Sequence, residues 1–162
     1  MSRKLVLLLG LGLLLLLIVG AALIWFPTPA YTLVRKQDFE GVIFDKGRAA
    51  DQLGVMLLNE HDDAMYWTPT EDDIIALEKR FREYTAANLP ALNLRLSLVK
   101  RQYYGFVRQE SPIIMVVGFC DGAEIDWHRE LVTLPATSGC YVEAQYDVIN
   151  DVMLYAWASF EH

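Results

Sequence analysis

The sequence predicts an α+β protein: one N-terminal transmembrane helix, then a long helix packed on a roughly four-stranded antiparallel sheet. Three observations carry that expectation. An uncharged apolar run opens the chain, a helical periodicity occupies residues 69–88, and alternation of period 2 takes over beyond Pro90. The chain divides accordingly into a cytoplasmic N-terminus (1–4), a signal-anchor helix (5–26), a linker with the start of an outer domain (27–66), and a helix-on-sheet unit (67–162).

Leu5–Phe26 holds 22 residues without a charged or polar side chain. As a helix it would be about 33 Å long, enough to cross the roughly 30 Å hydrocarbon core of a bilayer. Arg3 and Lys4 precede the run, and Trp25-Phe26 closes it, which favours a cytoplasmic N-terminus. Arg35 and Lys36 beyond the span oppose that orientation. The rival reading is a cleaved signal peptide with Leu5–Ile18 as its apolar centre and small residues at Val19-Gly20-Ala21. Leu23-Ile24-Trp25-Phe26 continues the run where a secretory signal turns polar, so the sequence favours the anchor. The expected localisation is therefore the cell membrane, single-pass, with the C-terminal domain extracytoplasmic; cleavage would make it secreted. The lipid bilayer is the first expected partner, through Leu5–Phe26.

All 21 acids and 12 of the 14 Lys and Arg residues lie beyond residue 26, a net charge of −9 for that part. Nucleic-acid phosphates need a concentrated basic surface, so a nucleic-acid partner is excluded.

Residues 27–66 are the least readable. Pro27 and Pro29 stop the first helix, Phe39–Phe44 has the composition of a short strand, and Ala49–Asn59 has that of a short helix. The pattern sharpens at Trp67. Thr68 and Glu71 have capping-box spacing, with Pro69 at the first helical position. Glu71, Asp72 and Asp73 suit the positive end of the helix dipole. Ile74, Leu77, Phe81 and Tyr84 form one apolar stripe, giving a helix over Pro69–Asn88.

Leu92, Leu94, Leu96 and Leu98 alternate with Asn93, Arg95 and Ser97, which reads as extended chain. Lys100–Arg108, Ile113–Cys120, Cys140–Asp147 and Val152–Phe160 are the four strands, the second apolar on both faces and so central. Cys120 and Cys140 are the only cysteines; on neighbouring antiparallel strands they come close enough to bridge, and an extracytoplasmic setting favours the disulfide.

A few motifs resemble an uncharacterised family of small bacterial cell-envelope proteins with a cystatin-like domain. They are Trp67-Thr68-Pro69-Thr70-Glu71, Lys100-Arg101-Gln102-Tyr103-Tyr104-Gly105-Phe106, Phe119-Cys120, Trp127, Gly139-Cys140-Tyr141 and Tyr146-Asp147. The resemblance covers about residues 67–158 and implies a cystatin-like fold and an envelope compartment, with no activity attached.

Chemistry-bearing constellations are sparse. Glu124, Asp126 and His128 alternate and would share one face of an extended chain, but they lack the ligand count of a dedicated zinc site. A free Cys120 or Cys140 with His128 would make a thiol nucleophile and base, which a disulfide removes. Glu60, His61, Asp62 and Asp63 read as a solvated loop. No cofactor, metal site or catalytic set is expected. The more informative surface is aromatic: if Val142, Ala144, Leu154 and Ala156 face the helix, then Tyr141, Tyr155 and Trp157 point to the other sheet face. Either residues 27–66 cover that face as core, or it recognises an envelope protein, peptide or glycan. The function expected is a membrane-tethered extracytoplasmic binding module without catalysis. The alternative is a membrane-anchored hydrolase or thiol enzyme using His128 with Glu124 and Asp126 or a free cysteine.

Overall fold

The computed structural model describes residues 31–53, 65–120, 126–132 and 140–160. Within them lie strands β1 (Tyr31–Arg35) and β2 (Glu40–Phe44), helix α1 (Lys46–Leu53), and strand β3 (Tyr66–Trp67). Helices α2 (Glu71–Asn88) and α3 (Pro90–Asn93) follow, with a 3-10 turn at Leu96–Leu98. Strands β4 (Lys100–Arg108), β5 (Ser111–Phe119), β6 (Cys140–Asp147) and β7 (Val152–Phe160) complete the order.

The four-stranded expectation is corrected to a seven-stranded sheet of order β1-β2-β4-β5-β6-β7, with β3 pairing off this path against β4. The antiparallel meander β4–β7 is as the alternation predicts. What the sequence reading misses is β1 and the parallel pairing of β2 with β4, Glu40 opposite Lys100 through Ile43 opposite Tyr103. The same edge of β4 carries β3 further along, with Trp67 opposite Gly105. A Cβ on Gly105 would sit 2.6 Å from the Trp67 indole, so only glycine lets the two backbones meet there.

The single-pass membrane reading is also corrected. Among the described residues no helix is long and apolar enough to cross a membrane. The run Leu5–Phe26, with its cleavage alternative, lies outside the described residues.

Helix α2 lies on one face of the sheet and buries Ile74, Leu77 and Phe81 against Ile43, Tyr103, Val116, Val142 and Ala144. Its cap sits two residues later than the sequence suggests. Thr70 is the N-cap, and Thr70 and Asp73 form the capping box through Thr70 N to Asp73 Oδ2 (2.8 Å) and Asp73 N to Thr70 Oγ1 (3.2 Å). Thr68 instead accepts from the Lys46 amide at 2.9 Å, tying the start of α1 to the approach to α2. At the far end of the sheet Arg80 of α2 pairs with Asp151, to which the Tyr146 hydroxyl donates at 2.8 Å. These two donors hold the Asp151 carboxyl down at about 2.

The leucine alternation of residues 92–98 is not a strand. Leu92 and Leu96, four residues apart, are buried in the core beneath α3 and the 3-10 turn, while Leu94 and Leu98 are exposed. Spacings of 2 and 4 coincide at every second leucine, and Pro90 at the first helical position of α3 resolves the ambiguity toward helix.

The β4–β5 turn consists of Gln109 (φ 50°) and Glu110 (φ 67°), a two-residue connection with both residues left-handed. Neither residue type favours that region. Replacing them by Asn and Gly is expected to stabilise the protein by roughly 1 kcal/mol, measured as an upward shift of the urea midpoint; an unchanged midpoint would refute the turn geometry.

Candidate functional site

Strand β4 sends alternate side chains to opposite faces, and its motif residues do two structural jobs. Arg101 and Tyr103 face α2, where both meet Glu78: Arg101 Nε lies 3.2 Å from Glu78 Oε1 and the Tyr103 hydroxyl donates to the same oxygen at 2.7 Å. Gln102 faces the other way and holds residues 126–132 against the sheet. Its amide nitrogen donates to the carbonyls of Trp127 (2.6 Å) and Glu130 (2.7 Å), and its oxygen accepts from the Val132 amide (2.7 Å). Trp127 and Val132, with Ala49 of α1, then bury Val42, Phe44, Tyr104, Val117 and Phe119 in a second core. Over β2, β4 and β5 the face away from α2 is therefore interior, covered by α1 and by residues 126–132.

The β6–β7 part of that face differs. The register places Glu143 opposite Trp157 and Gln145 opposite Tyr155, so Tyr141, Glu143, Gln145, Tyr155 and Trp157 share it. The three aromatic residues singled out from the sequence are together there. Leu154 is not on the helix side: a bulge between Gln145 and Tyr146 makes it the extra residue and leaves it exposed, while Met153 takes the buried place. Tyr141 and Trp157 stand with ring centroids 6.0 Å apart and planes at 58°, and Trp157 is 43% exposed.

Glu143 sits among these rings. The Tyr155 hydroxyl donates to its Oε1, and the Tyr141 hydroxyl lies 3.4 Å from Oε2, a long contact. Burial and the adjacent carboxylate push the Tyr141 hydroxyl up to about 12 and raise that of Tyr155 further. Both phenols therefore stay neutral donors at neutral pH. No Lys or Arg among the described residues forms an ion pair with Glu143. The Gln145 Oε1 atom on the same face is buried and has no hydrogen-bond partner among the described residues. The patch thus offers ring faces, one carboxylate and one unmatched acceptor. The alternation Tyr141, Glu143, Gln145 was the available signal for the two polar members, which the aromatic reading passes over.

The other sequence candidates are not assembled into chemistry. His128 stacks on Trp127 with centroids 4.0 Å apart, and its Nδ1 lies 3.5 Å from Asp126 Oδ1. Glu124, the third member, lies outside the described residues, as do Glu60, His61, Asp62 and Asp63. Cys120 and Cys140 form a disulfide with Cα atoms 5.5 Å apart, so neither sulfur is a nucleophile in this form. Cys120 follows directly on β5, one step beyond the Phe119–Tyr141 pair, which is what brings the two together. Among the described residues no group of three or more His, Cys, Asp and Glu side chains is placed to hold a metal ion. An open groove beside α2, lined by Phe39, Glu78, Lys79 and Arg82, adjoins the buried carboxylate of Glu78. That carboxylate is committed to Arg101 and Tyr103 and points into the core, leaving the groove with mixed charges and no distinctive chemistry. Comparisons with protein families, with curated proteins and with solved structures find no match.

Proposed function

We propose that this protein is a non-catalytic binding module whose β6–β7 face recognises a cationic group with an apolar body, such as a lysine, an arginine or an alkylated ammonium. The observation that carries the reading is Glu143, a carboxylate held by tyrosine hydroxyls beside a half-exposed indole and without a basic partner among the described residues. A positive group over ring faces gains from the ring quadrupoles, and a nearby fixed carboxylate adds to that attraction. The disulfide supports an oxidising compartment for this work.

The test uses the purified full-length chain and two probes of the same shape, N-acetyl-trimethyllysine amide and its neutral tert-butyl isostere, followed by the NMR signal of the Trp157 indole. The charged probe is expected to bind about tenfold more tightly than the neutral one, and Glu143→Gln is expected to narrow that difference to the part the rings supply. Equal affinity for the two probes would overturn the reading.

A further inference from the structure

Strand β7 ends the sheet, and among the described residues nothing pairs with its outer side. It runs for nine residues, Val-Met-Leu-Tyr-Ala-Trp-Ala-Ser-Phe, with neither a charge nor a proline. Sheets ordinarily protect an open edge with a lysine, a proline or short length. The opposite edge follows that rule, since β1 has five residues and ends on Arg35, paired with Glu40. On β7 the only interruption is the bulge at Leu154, which leaves Tyr155–Phe160 as a regular stretch of edge that no described residue pairs with. Trp157 is exposed within that stretch, and Val152 and Leu154 are exposed just before it.

The geometry points to β7 as a strand acceptor: an extended segment of a partner protein adds to its outer edge along Tyr155–Phe160, with a lysine or arginine opposite Trp157. Main-chain hydrogen bonds would supply the sequence-tolerant part of the affinity, and alternate side chains the selectivity. Successive strands lie about 4.8 Å apart. A side chain opposite Trp157 therefore starts one strand beyond the indole and two beyond Glu143, the residue paired with Trp157 in the register. A basic side chain lying across the indole bridges that interval, its stem on the ring and its head toward the carboxylate. Charge selects this occupant over a second copy added through its own β7, because that strand brings no basic residue to Glu143. The placement of the basic residue rests on the cation reading above; the acceptance of a strand does not.

Hydrogen–deuterium exchange of the full-length chain separates the two. The probe is the blocked peptide Thr-Val-Thr-Lys-Thr-Val-Thr at 1 mM, beside one version with Glu for Lys and one with Pro for both Val. The lysine peptide is expected to slow exchange across residues 155–160 at least tenfold, the proline version to leave it unchanged, and the glutamate version to need at least tenfold more peptide. No protection by the lysine peptide, while trimethyllysine amide still shifts the Trp157 indole, would overturn strand addition and leave the cation reading standing. Equal protection by the Lys and Glu peptides would overturn the basic-residue placement. Full protection of 155–160 without peptide would overturn the proposal in favour of another occupant, a second copy if the chain is dimeric by sedimentation and a segment of the same chain if it is monomeric.

Discussion

Arg101→Leu is expected to cost roughly 3–5 kcal/mol of folding stability, the range for breaking one side of a buried ion pair. Arg101 is 1% exposed and Glu78 4%, so neither has water to fall back on. Arg101 also donates to the carbonyls of Leu96 (2.7 Å) and Val99 (3.1 Å), and its guanidinium lies 5.7 Å from the Phe39 ring centroid. Its Nε is near Glu78 but not aligned for a hydrogen bond, so the coupling there is chiefly Coulombic. Removing the guanidinium leaves a carboxylate held by the Tyr103 hydroxyl alone and takes one donor from each of two carbonyls, with the Leu96 carbonyl keeping the Val99 amide at 3.3 Å.

The loss carries a pH signature with a definite sign. Burial raises the Glu78 carboxyl above its ordinary value, and Arg101 is the first of the influences opposing that rise. Without Arg101 it rises further, so the folded variant binds a proton that the unfolded chain has already released. Stability of the variant then falls as pH increases from the ordinary glutamate range through the raised value. Urea unfolding across a pH series should show a small deficit below about pH 4 that widens toward neutrality. A deficit under 1 kcal/mol, or one independent of pH, would refute the account of Glu78 as a charge kept in the core by Arg101. Glu78→Leu in the Arg101→Leu background should recover part of the loss, because the stranded charge goes with it.

Opening the disulfide is the second large effect. Cys120 and Cys140 are 20 positions apart, and closing a loop of that size stabilises a fold by roughly 3 kcal/mol in the chain-entropy model. Replacing both cysteines by serine should therefore lower the melting temperature by roughly 10 °C. Comparing the double variant with the reduced wild type in thermal melts checks the source of the loss. If reduction leaves the melting temperature unchanged, the bridge is ornamental to stability and the link to an oxidising compartment weakens.

How far the sequence reveals this molecule depends on how local the deciding interactions are. Helix α2 and strands β4 to β7 were legible because caps, turns and side-chain periods are written within a few neighbouring residues. The side of the sheet occupied by Tyr141, Tyr155 and Trp157 followed from the same alternation. The parallel pairing of β2 with β4 was not legible, since Val42, Ile43 and Phe44 would suit an edge of any sheet and the choice is made by distant Tyr103 and Gln102. Glu143 was visible as an alternating polar residue, but that no described Lys or Arg reaches it is a property of three strands at once. Leu154 was misplaced for a comparable reason: one bulged residue reverses the facing of everything before it. The leucines at 92–98 show the reverse failure, in which a local pattern fits two structures and the tertiary core decides.

The pairing of Glu40 with Lys100 spans 60 positions, whereas β4 to β5 and β6 to β7 close across turns of two to four residues. Chain entropy makes the distant match slow to form and the near ones quick. On a ribosome β1 and β2 emerge early, yet the strand they must lie against is made much later. Until then Val34 and Ile43 have no core to enter, so the newborn protein carries this apolar hairpin uncovered and depends on the prompt arrival of its own middle.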